Sequence, residues 1–203
     1  MTEPLRMSGI WDNHRRGAIG DFLRERIKPD SNLSFVSAYF TIYAYAALKD
    51  QLDGIERLRF LFGEPRFIQS LDPEKTEKKA FRIEDDSLSL SNRLEQKRVA
   101  RECSQWLESK VDVRSIIKPG FLHGKMYHTD NSGVSEAIIG SSNFTVSGLG
   151  LGASGNNVEL NLEVNDNRDR ADLKNWFDEV WNDEQMVEDV KAEVLAYLAQ
   201  LYQ

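Results

Sequence analysis

Several residue types and patterns are scarce in this sequence, and each scarcity excludes a class of protein. The single cysteine, Cys103, excludes a framework of internal disulfide bonds. The apolar runs are far shorter than a bilayer span and the N-terminus has no signal-peptide pattern, so we expect a cytoplasmic protein without membrane segments. Basic residues number 26 against 33 acidic ones. The net charge of −7 therefore argues against nonspecific nucleic-acid binding by the whole surface, although a local basic groove remains compatible with it.

The length and the order of the predicted elements indicate one α/β domain with a sizeable core. The chain has 203 residues, of which 40% are hydrophobic and 29% charged. Alternating strand and helix patterns predict a parallel strand pair with a right-handed crossover. In chain order we predict a helix over Asp12–Ile27, a strand over Leu33–Phe40, a helix over Ile42–Leu52, a strand over Arg57–Gly63, a helix over Ser91–Lys110 and a strand over Val111–Ile117.

The C-terminal part contains two amphipathic helical patterns, over Asp169–Trp181 and Glu184–Tyr202. We therefore predict one domain over residues 1–182 and a C-terminal helix over 183–203. Because the second pattern runs to the last residues without a C-cap signal, we expect that helix to lead into a further domain of a longer protein.

The stretch from Phe121 to Val164 collects most of the chemistry-bearing residues. It contains His123, Lys125, Asp130, Ser141, Asn143 and Glu159. If Leu122–Thr129 is a strand, His123 and Lys125 share one face, while His128 and Asp130 lie on the other. Further on, Val158, Leu160, Leu162 and Val164 alternate with polar residues, which places Glu159 on the polar face.

These side chains suit phosphoryl transfer, which needs a nucleophile, a charge clamp and a proton donor. A ring nitrogen of His123 can attack phosphorus, and Glu159 can accept a hydrogen bond from the other nitrogen to fix the tautomer. Lys125 and Asn143 can hold the nonbridging oxygens, with Ser141 hydrogen-bonded nearby. No cluster of residues has the spacing of a metal site, so we expect neither a metal nor another cofactor.

The pattern H-G-K-M-Y-H-T-D followed by G-S-S-N resembles the signature of the phospholipase D superfamily, H-x-K-x4-D and G-S-x-N. The longer spacing between the two parts fits a hairpin turn over residues 131–135. The resemblance implies a mixed β-sheet flanked by helices on both faces, and a structural role for Asp130. It also implies a metal-independent phosphodiesterase of the nuclease branch, which forms a phosphohistidine intermediate.

The resemblance also has implications for assembly and partners. The family mechanism uses two histidines from two copies of the motif, and this chain has one copy. We therefore expect a homodimer through the motif face, acting on nucleic acid, with DNA favoured over RNA. Similar phospholipase D-like domains stand at the start of bacterial helicase-type and restriction-associated proteins.

Three other interpretations remain open at this stage. The domain could be an idle nucleic-acid-binding or dimerisation module. It could be a lipid phosphodiesterase, which we disfavour because no segment has one basic face and one face of exposed aromatics. Asp30 with Glu77 and Lys79 could form a metal-dependent nuclease site, although residues 69–90 carry mainly charge blocks typical of solvated segments. We interpret His14 as an exposed polar residue.

Overall fold

The computed structural model describes residues 6, 8–65, 67–71, 86–117 and 121–203. Within these ranges the chain forms an eight-stranded mixed sheet in the order β1-β7-β6-β5-β2-β3-β4-β8. The strands are β1 Ile10–Trp11, β2 Asn32–Ser37, β3 Arg57–Phe62, β4 Val111–Ile116, β5 Lys125–Asn131, β6 Val134–Gly140, β7 Asn161–Glu163 and β8 Val187–Asp189.

The helices of the described ranges cover both faces of this sheet, which confirms the predicted fold class. They are α1 Ile19–Arg26, α2 Ile42–Ala47, α3 Lys49–Leu52, α4 Phe67–Ser70, α5 Asp86–Lys110, α6 Val146–Leu149, α7 Asn167–Trp181 and α8 Lys191–Tyr202. One face packs with α1, α2, α5 and α8 into the larger core, which includes Phe22, Leu48, Trp106 and Leu198. The other face packs beneath α7, where Phe177 and Trp181 meet Val36 and Met126.

The sheet has a parallel half and an antiparallel half. Strand β2 runs parallel to β3, and β3 runs parallel to β4, as the βαβ pattern predicts. Strand β5 runs antiparallel to β2 and continues into β6 through a hairpin. Ser132 and Gly133 have φ of 53° and 92° in the connecting turn, as a two-residue type I′ turn requires. The hairpin expected between the two parts of the motif is therefore confirmed.

The first helix is shorter than predicted. The apolar spacing suggested a helix from Asp12 to Ile27, but α1 begins at Ile19. Asp12 Oδ1 instead accepts the backbone N–H groups of His14 and Arg16, and Asn13 adopts a left-handed conformation with φ of 60°. Residues 12–17 therefore form a turn, because Asp and Asn side chains compete with the helix for backbone hydrogen bonds.

The C-terminal segment also differs from its prediction. The helix predicted from Glu184 is divided into strand β8 and helix α8. Strand β8 pairs with the free edge of β4, in a register that joins Ile116 to Val187. Val194 and Leu198 of α8 are buried in the larger core. This segment therefore shares its sheet and its core with the rest of the chain.

The apolar alternation near Glu159 does not correspond to a long buried strand. Only residues 161–163 form strand β7, and the side chains of Val158, Leu160 and Leu162 are 73%, 68% and 53% exposed. Helix α7 covers Met126 of β5, whereas Ile139 of β6 on the same sheet face is 39% exposed. The sheet face over β6 and β7 is thus open. Among the described residues, no helix is both long and apolar enough to cross a membrane.

Candidate active site

Four motif residues, His123, Lys125, Ser141 and Asn143, lie at the edge of the sheet where the parallel strands β2 and β3 end. Strand β5 runs antiparallel to β2, so its first residue, Lys125, lies at the same edge as Ser37. Lys125 pairs with Gly140, the last residue of β6, and the chain continues directly into Ser141 and Asn143. Carboxyl ends of parallel strands commonly carry ligand sites in α/β sheets.

Asn143 is held by the end of β2. Its Oδ1 accepts hydrogen bonds from the Ala38 N–H at 3.0 Å and from the Ser37 hydroxyl at 3.2 Å. These donors fix the amide orientation, and the amide nitrogen is the atom left to contact a substrate oxygen. Ser37 was not predicted from the sequence, because a serine in a buried strand has no periodic or motif signal.

Ser141 and Glu159 form a second fixed pair. The Ser141 hydroxyl donates to Glu159 Oε2 and accepts the Leu160 N–H at 3.0 Å. Gly140 permits this approach, because a Cβ at its position would lie 2.2 Å from the Leu160 carbonyl oxygen. The glycine-serine step of the motif therefore brings β6 against the segment that carries Glu159.

His123 does not lie in the strand predicted over Leu122–Thr129, because β5 begins at Lys125. Its side chain is exposed, and its ring centroid lies 5.9 Å from that of Phe121. The Leu122 N–H donates to the Gly63 carbonyl at 2.9 Å, which attaches this segment to the end of β3. The Lys125 ammonium lies 2.8 Å from the His123 carbonyl oxygen and folds back over the same segment. The ammonium therefore lies beside the backbone of His123 at the sheet edge.

The predicted contact between His123 and Glu159 is not formed in this arrangement. The carboxylate of Glu159 is bonded to Ser141, and the His123 imidazole makes no hydrogen bond to the described part of the chain. Hydrogen bonds between catalytic groups often tighten only with substrate, so the role of Glu159 in orienting the imidazole stays a prediction.

Asp130 and His128 lie away from these groups. Asp130 Oδ1 accepts the Gly133 N–H at 2.8 Å and so stabilises the hairpin turn at the far end of β5. His128 is 1% exposed, on the sheet face opposite Lys125, and burial lowers its pKa. Neither side chain reaches the edge where Lys125 and Asn143 meet.

The acidic residues that the structure describes give no support to a metal centre. Within the described ranges no three His, Cys, Asp or Glu residues are grouped as metal ligands would be. Asp30 lies in a turn with φ of 64°, where its N–H donates to the Gly54 carbonyl. Glu77 and Lys79, the other members of that hypothesis, lie outside the described residues.

A turn that the sequence analysis did not connect with the site lies beside Glu159. The Glu159 N–H donates to the Asp12 carbonyl at 3.0 Å, and Asn13 Nδ2 donates to the Gly148 carbonyl at 2.8 Å. Residues 12–17 therefore contact both the segment that carries Glu159 and the helix that follows the G-S-S-N motif. Sequence gives no signal for this contact, because it joins residues more than a hundred positions apart.

Comparison with known proteins agrees with the geometry of this edge. Residues 32–181 match the family described as "Cardiolipin synthase, PLD-like domain", and this range includes the whole H-x-K and G-S-x-N motif. A search of curated proteins finds no match to the chain. Because the family match covers well over half of the 203 residues, the chain belongs to the phospholipase D superfamily.

Proposed function

We propose that this chain is a metal-independent phosphodiesterase, specifically a nuclease, that works through a phosphohistidine intermediate as a homodimer. One observation carries the proposal: Lys125, Asn143 and the Ser141–Glu159 pair lie at one sheet edge beside the exposed His123. A cation and an amide donor at this edge provide the charge clamp that a divalent ion supplies in other phosphodiesterases.

The first step forms a bond between a His123 ring nitrogen and phosphorus. As phosphorus becomes five-coordinate, Lys125 and the Asn143 amide nitrogen donate to its nonbridging oxygens. The bond to the leaving oxygen breaks, and that oxygen takes a proton from a general acid. In the second step a water molecule attacks phosphorus and gives a proton back to the same group, while the phosphorus–nitrogen bond breaks.

A second copy of the chain is the proposed source of that general acid. Of the two histidines other than His123, His128 is buried on the opposite sheet face, and His14 is exposed with no described side chain hydrogen-bonded to its imidazole. A twofold dimer would place the His123 of one protomer against that of its partner, so that each imidazole could serve as the acid for the other.

The surface around the motif supports assembly through this face. Four large apolar side chains beside the motif residues are exposed, namely Tyr39 at 43%, Phe121 at 53%, Val158 at 73% and Leu160 at 68%. Exposed apolar groups clustered at one site are typical of protein interaction surfaces. Packing two such faces together would bury these groups and exclude water from the chemistry.

Nucleic acid is the proposed substrate, with DNA favoured over RNA, and helicase-type or restriction-associated proteins are the proposed context. The test is an assay of the purified chain against DNA, RNA and a generic phosphodiester, with and without EDTA. We expect cleavage of nucleic acid that survives excess EDTA and is lost in His123→Ala. Strict dependence on added magnesium or manganese would overturn the proposed mechanism. Binding of DNA without cleavage would favour the idle binding module.

One observation favours a lipid phosphodiesterase as a second candidate. A groove of about 1060 Å³ runs from Lys125 along the open sheet face to α7, and its apolar lining includes Leu160, Leu162 and Trp176. Such a groove could hold an acyl chain beside the reactive edge. Release of headgroup from phospholipid vesicles at a rate above that of DNA cleavage would favour this candidate over the nuclease.

A further inference from the structure

The turn beside Glu159 exposes two adjacent cations. Arg15 and Arg16 are exposed on the turn, and the Arg16 side chain is 57% exposed although it lies 3.8 Å from the Asp12 carboxylate. Arg15 makes no ion pair with any described residue. In a chain of net charge −7, two neighbouring arginines without a strong partner form a local positive surface next to the proposed site.

The backbone beneath these arginines is held by several hydrogen bonds. Asp12 accepts two backbone N–H groups of the turn, and Asn13 both donates to the Gly148 carbonyl and accepts the Ile19 N–H at 3.0 Å. The Arg6 guanidinium lies over the Trp11 ring and donates to the Arg16 carbonyl at 2.6 Å. The fold therefore fixes the backbone of the turn and leaves the Arg15 and Arg16 side chains available for another contact.

The opposite flank of the site has the contrary charge. Asp166, Asp169 and Asp172 line the groove that leads from Lys125 to α7. An anionic backbone that reaches Lys125 would be repelled along this acidic flank and attracted along the turn. A polyanionic substrate bound at Lys125 should therefore extend over the turn and not along the acidic groove toward α7.

We infer that Arg15 and Arg16 bind backbone phosphates of the nucleic acid on one side of the scissile phosphate. This inference rests on the proposed nuclease function and adds the path of the substrate to it. Phosphate contacts of this kind position a strand without reading its sequence, so the turn should contribute to affinity for any sequence.

The test measures the salt dependence of binding in a background that cannot cleave. His123→Ala protein is titrated with a labelled DNA strand, the corresponding duplex and an RNA strand of the same sequence, at several salt concentrations. In this His123→Ala background, Arg15→Ala together with Arg16→Ala should weaken binding on the order of tenfold. The salt slope, which is the slope of log K against the logarithm of the salt concentration, should become shallower by about 1.8 for duplex DNA. Replacing both arginines by lysine should restore most of the slope, because lysine keeps the charge.

Arg168→Ala is the matched control, because this arginine is 86% exposed but lies beside Asp169 on the acidic flank. Its salt slope should equal that of the parent. Equal slopes for the parent and the Arg15/Arg16 double variant would overturn the inference, and so would an equal loss in Arg168→Ala. If the double variant binds normally while His123→Ala still abolishes cleavage, the nuclease proposal stands and only the path of the substrate is wrong.

Discussion

The two halves of the sheet differ in how they are covered, and the candidate site lies where they join. The parallel half, β2 to β4, is packed with helices on both faces. The antiparallel half, β5 to β7 with β1, leaves Ile139 and Leu162 exposed on one face. The first half provides an edge supported by core packing, and the second places the candidate site residues and an apolar surface next to it. We therefore expect stability and the proposed function to depend on different parts of the sheet.

Aromatic side chains pack closely in the covered half. Phe60 contacts Phe40 and Phe62 with ring centroids 5.3 and 4.9 Å apart, and it also lies 6.0 Å from Phe144, which follows Asn143. Aromatic pairs in such edge-on arrangements stabilise beyond the area they bury. This cluster supports the backbone on which Asn143 is fixed.

The largest expected effect is a loss of stability in the covered half. Phe60→Ala should lower the free energy of unfolding by about 3–5 kcal/mol, because it leaves a cavity in the aromatic cluster. Leu162→Ala on the open face should cost less than about 1 kcal/mol, since its side chain is already 53% exposed. Urea unfolding of both variants measures the difference. Similar losses would show that the open face is as important for stability as the core.

The next largest effect is a loss of turnover without a loss of stability, at the sheet edge that carries Lys125. Lys125→Ala should lower turnover by about 10²–10³-fold, equivalent to about 2.7–4 kcal/mol of transition-state stabilisation, while unfolding stays near that of the parent. Lys97→Ala on α5 is the control, because it removes a lysine whose ammonium bonds only the Gln203 carbonyl among the described groups. Full turnover by Lys125→Ala would show that Lys125 is not part of the proposed charge clamp.

The strands of the covered half were predicted from the sequence better than those of the open half, because apolar patterns show burial only where a helix covers the sheet face. Strands β2, β3 and β4 carry apolar residues at most of the positions that face the larger core, and helices do bury that face, so the apolar alternation there corresponds to burial. Around Glu159 the same apolar alternation is present, but nothing in the sequence says whether a helix covers that face. Likewise Asp12 and Asn13 are typical helix caps, and the sequence does not show that they form a turn held by local hydrogen bonds and by the contact with Gly148. Motif spacing grouped the candidate site residues, whereas the strand predicted over Leu122–Thr129 wrongly included His123.

A smaller effect is expected at the proposed dimer surface. Leu160→Ser should weaken dimerisation by roughly tenfold, because an apolar side chain that is 68% exposed would lose its burial in the interface. Sedimentation at several concentrations gives the dissociation constant. Leu94→Ser on α5 changes a leucine of 61% exposure far from the motif and should leave assembly unchanged. Equal dissociation constants for the two variants would show that the interface does not lie on the motif face.

The smallest effect separates His128 from the chemistry. Burial lowers the pKa of His128, and the charges of Lys174 and Arg59 lower it further, against the opposing influence of the Arg170 backbone and Asp130. Below the unfolded-state pKa of about 6.5 the unfolded chain binds a proton that the folded chain resists, so stability falls as pH drops from there toward the folded pKa. In His128→Gln the melting temperature should therefore fall less steeply as the pH is lowered below about 6.5. An unchanged pH dependence of the melting temperature in His128→Gln would contradict this contribution.

The most direct test of the account is to trap the covalent intermediate. Quenching a reaction of phosphorus-labelled DNA in alkali should leave label on the protein, because phosphohistidine survives base and decomposes in acid. Digestion and mass analysis should place that label on His123, and His123→Ala should carry none. Turnover of DNA by the parent with no label on any histidine, or with label that persists in His123→Ala, would contradict the claim that this imidazole is the nucleophile.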